Sequence, residues 1–326
     1  TCFGGRRRST PIPQLWALSR ARFQGDNTDM LKILITALTA FVIVLLLGPL
    51  VIPMLARLMP NKSEQEAPEP PPQTSKKKQA PPPKPPVPTM GGALVLFAVA
   101  IATVIFGMEG MEFALPALVA MLAFGVLGFV DDFIRVRDPD GIGLRAGVML
   151  GAELLIAATI AIWAYRSPLI GSSLYLPISG GEWDIGLWYV PLVIAFVILE
   201  VNSAHLSEGM DGLVGGVSTI YALAMIAILA AMAAFANQEG ELLLGYNLDG
   251  SAIFAAAVAG AGVGFLRYNV YPAKIQPGST GSLSLGSTVV MLAIVSRSLI
   301  LLPLMSLCLL ASLGSIVLQS FSKTRE

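Results

Sequence analysis

The sequence predicts an all-α fold: a polytopic integral membrane bundle of about nine transmembrane helices, with one short extracytoplasmic hairpin. Three observations predict it. Of 326 residues, 55% are hydrophobic and only 13% charged, with a mean hydropathy of +0.72, whereas a soluble domain carries about a quarter charged residues. The apolar residues are gathered into runs of roughly 17–25 residues, the length a helix needs to cross a bilayer core. The polar segments between those runs hold most of the charge.

Residues 1–29 are polar, carry Arg6, Arg7, Arg8, Arg20 and Arg22, and lack the apolar centre of a signal peptide. They are expected to be a disordered extension outside a membrane domain of residues 30–326. The first span is expected at about 31–56. A linker at 57–89 follows, with Lys76, Lys77, Lys78 and a proline cluster around Lys84. That proline density excludes regular helix and favours extended polyproline II. Further spans are expected at about 90–107, 113–131, 147–165, 188–201, 212–235, 251–267, 283–301 and 302–320. Between the fourth and fifth, partial alternation around Gly180 and Gly181 predicts the hairpin. Gly260, Gly262 and Gly264 do not fit a dinucleotide-binding spacing; inside an apolar run they predict close helix packing. Glu153 and Glu200 are expected to face the bundle interior.

Lysine and arginine set the orientation. The loops after spans one, three, seven and nine hold thirteen of them and the opposite loops only Arg166 and Arg297. The excess belongs on the cytoplasmic side. A formal net charge of zero argues against nucleic acid as a partner. Cys2 and Cys308 imply neither a disulfide framework nor a zinc site, and His205 is the sole histidine.

Three polar constellations fall on the predicted cytoplasmic face. Asp131-Asp132 ends the third run. Adjacent helical positions diverge by about 100°, so one carboxylate is free to hold a metal while the other meets a second group. A solvated helix end answered by Arg135 and Arg137 is the other reading. The second is Asn202-Ser203-Ala204-His205-Leu206-Ser207-Glu208-Gly209-Met210-Asp211. Glu208 and Asp211 share a face if the turn is helical, and Asp211 is placed to cap the next helix. The third joins Arg267 and Asn269 to Gly278-Ser279-Thr280-Gly281-Ser282. A Gly/Ser/Thr cluster opening a helix offers N–H groups and a positive dipole end to an anion such as phosphate; a flexible turn is the other reading.

Jointly, these residues resemble the polyprenyl-phosphate N-acetylhexosamine-1-phosphate transferase superfamily. The resemblance runs from about residue 31 onward. It is carried by Pro88-Thr89-Met90-Gly91-Gly92, GFVDDFIRV at 128–136, Gly143-Leu144-Arg145-Ala146, NSAHLSEGMDGL at 202–213 and GFLRYNVYPAKIQPGSTGSLSLG at 264–286. It implies transfer of phospho-MurNAc-pentapeptide from a UDP carrier to undecaprenyl phosphate, with Mg2+, in the bacterial cytoplasmic membrane. A homodimer is also implied. By the family pattern Asp131, Asp132 and Asp211 are catalytic, and Asp131 and Asp132 sit by the metal. Lys84, His205, Glu208, Asn269, Gly278 and Ser279 match substrate-binding positions.

The chain also departs from that pattern. Ser279 stands where the family has a metal-binding aspartate, so a weakened magnesium site is expected. His205 replaces asparagine, Glu208 replaces aspartate, Gln276 replaces an aromatic, and Arg135 and Met149 replace lysines. The family pattern continues past Glu326 into a His-His-His-Phe-Glu loop and a further span. These departures set two other readings beside transfer to undecaprenyl phosphate. One is a catalytically impaired pseudoenzyme that binds polyprenyl phosphate, nucleotide or a partner subunit; the other is a transferase for a different UDP-linked amino sugar.

Overall fold

The computed structural model describes residues 12–58, 87–107, 110–138, 141–176 and 181–323. Most of the linker, including Lys84, lies outside the described residues, as does the start of the N-terminal extension. Ten α-helices are present among the described residues: α1 Ile12–Leu58, α2 Gly92–Phe106, α3 Met111–Arg137, α4 Ala146–Arg166, α5 Tyr189–Leu206, α6 Leu213–Glu239, α7 Leu242–Asn269, α8 Gly278–Val295, α9 Leu302–Met305 and α10 Leu307–Lys323. Among the described residues seven segments are long and apolar enough to cross a membrane, the first being Met30–Arg57 within α1. Gly92–Phe106 is a shorter apolar helix. The fold is therefore an all-α membrane bundle, with seven such spans and one shorter apolar helix among the described residues.

The hairpin joins β1, Ser173–Leu176, to β2, Gly181–Asp184, in antiparallel register with Leu174 opposite Trp183 and Tyr175 opposite Glu182. The Tyr175 amide donates to the Arg297 carbonyl (3.1 Å), and the Arg297 guanidinium returns a bond to Glu182 (2.9 Å). This pins the hairpin to the far end of α8.

Several span boundaries differ from expectation, α7 beginning at Leu242 where its span was expected from about 251. The eighth helix begins at Gly278, not near Leu283, so the Gly-Ser-Thr-Gly-Ser cluster is its first turn. The ninth expected span is divided between α9 and α10 around Ser306. Apolar runs locate helices by hydropathy, and small polar residues that are satisfied within the protein escape that signal.

Helix α8 is the axis of the bundle. All eighteen of its residues are buried, and α2, α3, α5 and α6 pack on it. Hydroxyls beyond its first turn are satisfied along the helix itself: Ser284 donates to the Gly281 carbonyl (2.9 Å) and Thr288 to the Ser284 carbonyl (2.9 Å). The glycines of α7 do the packing the sequence predicted. A Cβ on Gly260 would collide with the Ala37 carbonyl of α1, and one on Gly262 with the Thr219 hydroxyl of α6.

Candidate active site

The site gathers at one end of the bundle, where α3 and α5 end and α8 begins. Segment 88–92 is fastened there by backbone bonds: Gln276 N–H donates to the Pro88 carbonyl, Gly91 to Gln276 and Gly92 to Pro277, each at 2.9 Å. The polar segments that the sequence assigned to one face do meet.

The two aspartates divide sharply. Asp132 is 1% exposed and turned towards α8. Its Oδ1 accepts from the Ser279 amide (3.0 Å), and its Oδ2 from the Thr280 amide (2.9 Å) and hydroxyl (2.7 Å). A carboxylate at a helix N-terminus satisfies free N–H groups and meets the positive dipole end. The anion expected to be cradled by this Gly/Ser/Thr turn is thus the protein's own side chain. Gly278 permits the approach: its φ is +66°, and a Cβ there would stand 2.6 Å from Asp132 Oδ2.

Asp131, also buried, reaches the same turn from another side and borders the cavity. Its Oδ1 accepts from the Leu144 amide (2.7 Å), and its Oδ2 from the Ser279 hydroxyl (2.6 Å) and the Arg135 guanidinium (2.8 Å). Arg135 lies one turn after Asp131, an i,i+4 pairing legible in the sequence. Its other nitrogen donates to Glu208 Oε1 at 2.9 Å. Arg135 therefore bridges the end of α3 to the loop after α5, and its side chain remains 35% exposed.

Glu208 also accepts from the Ser282 hydroxyl (3.1 Å). His205 Nδ1 lies 3.4 Å from Glu208 Oε2, close enough for an ion pair but without hydrogen-bond alignment. Burial acts to raise the Glu208 pKa, but the His205 imidazole and the Arg135 guanidinium outweigh it and hold the carboxyl below its ordinary value.

Glu208 and Asp211 do not share a face. Helix α5 ends at Leu206, so helical spacing no longer applies beyond it. Asp211 points to the α7–α8 connection, accepting from the Ala273 amide (3.2 Å) and the Gln276 side chain (3.5 Å). Nor does it cap α6: the capping position is Gly212, with φ +74° and no side-chain cap. Asn269 is 1% exposed and spends both ends of its amide internally, accepting from Gly212 N–H (3.1 Å) and donating to the Ile275 carbonyl (2.9 Å).

A cavity of about 540 Å³ opens beside Asp131 and Arg135, walled by Leu144, Met149, Glu153, Asn202 and His205 among others. Sequence reasoning placed Glu153 in the interior, where it is 1% exposed, but missed its pairing with Asn202 (2.7 Å). No spacing rule links positions on different helices.

Magnesium takes one or two carboxylates, completing an octahedron with waters and phosphate oxygens. Asp131 fits this role: Oδ1 has a single donor, and the residue lines the cavity. Asp132 is turned inward, and Ser279 offers a neutral hydroxyl. Among the described residues no three His, Cys, Asp or Glu side chains form a ready metal cluster. The donor set fits a one-carboxylate magnesium site centred on Asp131.

A bundle of long apolar helices with carboxylates and an arginine gathered at one end defines an integral membrane protein built to handle charged groups at that end. The model of glycosyl transferase family 4 matches residues 114–297, and the chain belongs to that family. Its relatives include the phospho-N-acetylmuramoyl-pentapeptide-transferase of Thermoanaerobacter sp. (strain X514), 34% identical over 292 residues, 89% of this chain and 84% of the relative. The protein of that name from Heliobacterium modesticaldum is 34% identical, with 89% and 83% covered. That of Clostridium novyi is 30% identical over 285 residues, with 87% and 80% covered.

Proposed function

We propose that this chain transfers phospho-MurNAc-pentapeptide from its UDP carrier to undecaprenyl phosphate, forming lipid I on the cytoplasmic face of a bacterial membrane. The observation that carries this reading is Asp131, which lines a cavity and is bridged through Arg135 to Glu208, in a chain homologous along most of its length to transferases of that name. On this reading the transferase domain is residues 30–326, and residues 1–29 stand outside it.

An oxygen of the acceptor phosphate attacks the sugar-linked phosphorus of the donor, and the bond to UMP breaks. Such transfers depend mostly on positioning and charge neutralisation. Asp131 would hold magnesium, which would supply charge neutralisation there. Arg135 is exposed enough to turn a guanidinium edge towards phosphate oxygens. Asp132 acts as a positioning residue, because it fixes the first turn of α8 and so the Ser279 hydroxyl against Asp131. By the family pattern Glu208, His205 and Asp211 contact the nucleotide, as do Asn269, Gly278 and Lys84, with Asn269 acting from beneath by holding the Gly212 amide and the Ile275 carbonyl.

One observation favours a second reading, an impaired enzyme that binds these ligands without turnover. Where the family pattern has a second metal-binding carboxylate, the residue bonded to Asp131 from α8 is a hydroxyl. The test is UMP release from UDP-MurNAc-pentapeptide by the purified chain with undecaprenyl phosphate and magnesium. Release that Asp131→Asn abolishes supports transfer. Saturable UDP binding without release supports the impaired reading.

A further inference from the structure

We propose that Glu153, held by Asn202, is a specificity residue that receives a hydroxyl or amide N–H of the donor's amino sugar. The inference rests on the proposed transfer reaction and adds a subsite to it.

Glu153 lies on α4, two turns inside its N-terminus, and is 1% exposed. Its Oε2 accepts from Asn202 Nδ2 at 2.7 Å, while the same nitrogen also donates to the Ile198 carbonyl at 2.9 Å. These bonds fix the carboxyl against α5. Its Oε1 is buried and has no hydrogen-bond partner, although the residue forms part of the cavity wall. A buried carboxyl oxygen without a donor is costly, and its surroundings normally supply one.

No protein group is placed to do so. The one arginine lining the cavity, Arg135, is committed to Asp131 and Glu208. On α4 the neighbouring wall is apolar, with Met149 and Leu150, and the His205 imidazole that shares the cavity makes no hydrogen bond to Glu153. His205 Nδ1, in the same cavity, also lacks a hydrogen-bond partner.

The missing donor is therefore supplied by a ligand. A phosphate brings acceptors only and would be repelled by Glu153. A sugar bearing hydroxyls and an N-acetyl group brings donors, and with its phosphate near Asp131 and Arg135 the ring extends towards the Glu153–Asn202 pair. A site built to accept a particular donor rejects analogues that lack it, because its own oxygen is then left unpaired.

The experiment is calorimetric titration of the full chain, in lipid nanodiscs with magnesium, using UDP and UDP-MurNAc-pentapeptide as separate probes. Wild type is compared with Glu153→Leu and Glu153→Gln. In Glu153→Leu, affinity for the UDP-sugar falls about tenfold while affinity for UDP is unchanged. Glu153→Gln, which keeps an acceptor oxygen, retains most of the UDP-sugar affinity. Equal loss for both probes in both variants overturns the subsite, because it marks Glu153 as structural. An unchanged UDP-sugar affinity in Glu153→Leu also overturns it, leaving a buried water as the partner of Oε1. Wild type that binds UDP but gains nothing from the sugar overturns the subsite alone. Wild type that binds neither probe overturns the transfer reading as well.

Discussion

The two adjacent aspartates perform different work because of where each side chain ends. Asp132 satisfies two amides and a hydroxyl at the start of α8, and Asp131 meets the cavity. Replacing Asp132 with Asn puts an amide donor against groups that are all donors. Stability should fall by about 1–3 kcal/mol, the scale for stranding buried partners, read as a lower thermal midpoint in detergent. Asp131→Asn should change that midpoint less and remove UMP release. Ser279→Asp places a second carboxylate beside Asp131 in place of a 2.6 Å hydrogen bond. Without divalent cation this variant should be less stable than wild type. Manganese titration followed by electron paramagnetic resonance should show it binding the ion more tightly. Glu208 provides a pH test. Its folded pKa is lowered, so its ionised form stabilises the fold above the unfolded glutamate value. That contribution is lost as pH falls through the lowered folded value. Across the acidic range the thermal midpoint of wild type should therefore drop further than that of Glu208→Gln.

At the scale of elements, the critical joint is where α3 meets the first turn of α8. Gly278 has a left-handed φ and lies against Asp132. Gly278→Ala should cost about 1–3 kcal/mol through backbone strain and collision together. It should reduce UMP release at permissive temperature, since Ser279 moves with that turn. This joint also marks the limit of what the sequence made legible. The Asp pair, the polar segments and their convergence were readable, because charges beside apolar runs are conspicuous. The partner of each acid was not. Helical geometry states that Asp131 and Asp132 diverge but leaves open which one faces inward. That choice is made by α8, whose first turn hydropathy had assigned to a loop. The partners of Asn269 and Asp211 were hidden for a related reason, and with them the failure of Asp211 to cap α6: they lie in the α5–α6 and α7–α8 loops, which no local pattern connects. Arg135 was within reach through its i,i+4 spacing from Asp131, whereas the Glu153–Asn202 pair required the packing of α4 on α5.

For the molecule as a whole, the testable property is which way the site end faces. The lysine and arginine distribution assigns it to the cytoplasm, with the hairpin at the opposite end. Cysteines introduced singly at Glu182 in the hairpin and at Arg137 by the site, with Cys2 and Cys308 replaced by Ser, test this. In intact cells a membrane-impermeant maleimide should label the Glu182→Cys protein and spare the Arg137→Cys protein until the membrane is opened. The reverse labelling would invert the orientation.

The burial of α8 also bears on biosynthesis. This helix is the axis on which α2, α3, α5 and α6 pack, yet it lies late in the sequence, after seven other helices. A ribosome delivers the surrounding wall before its centre, so the early helices must enter the bilayer as a loose group with an open middle. Asp132 reaches the membrane boundary long before the amides that will receive it exist. The nascent site stays incomplete until one late helix threads into place, and chains interrupted before residue 278 are therefore expected to be substrates for membrane quality control.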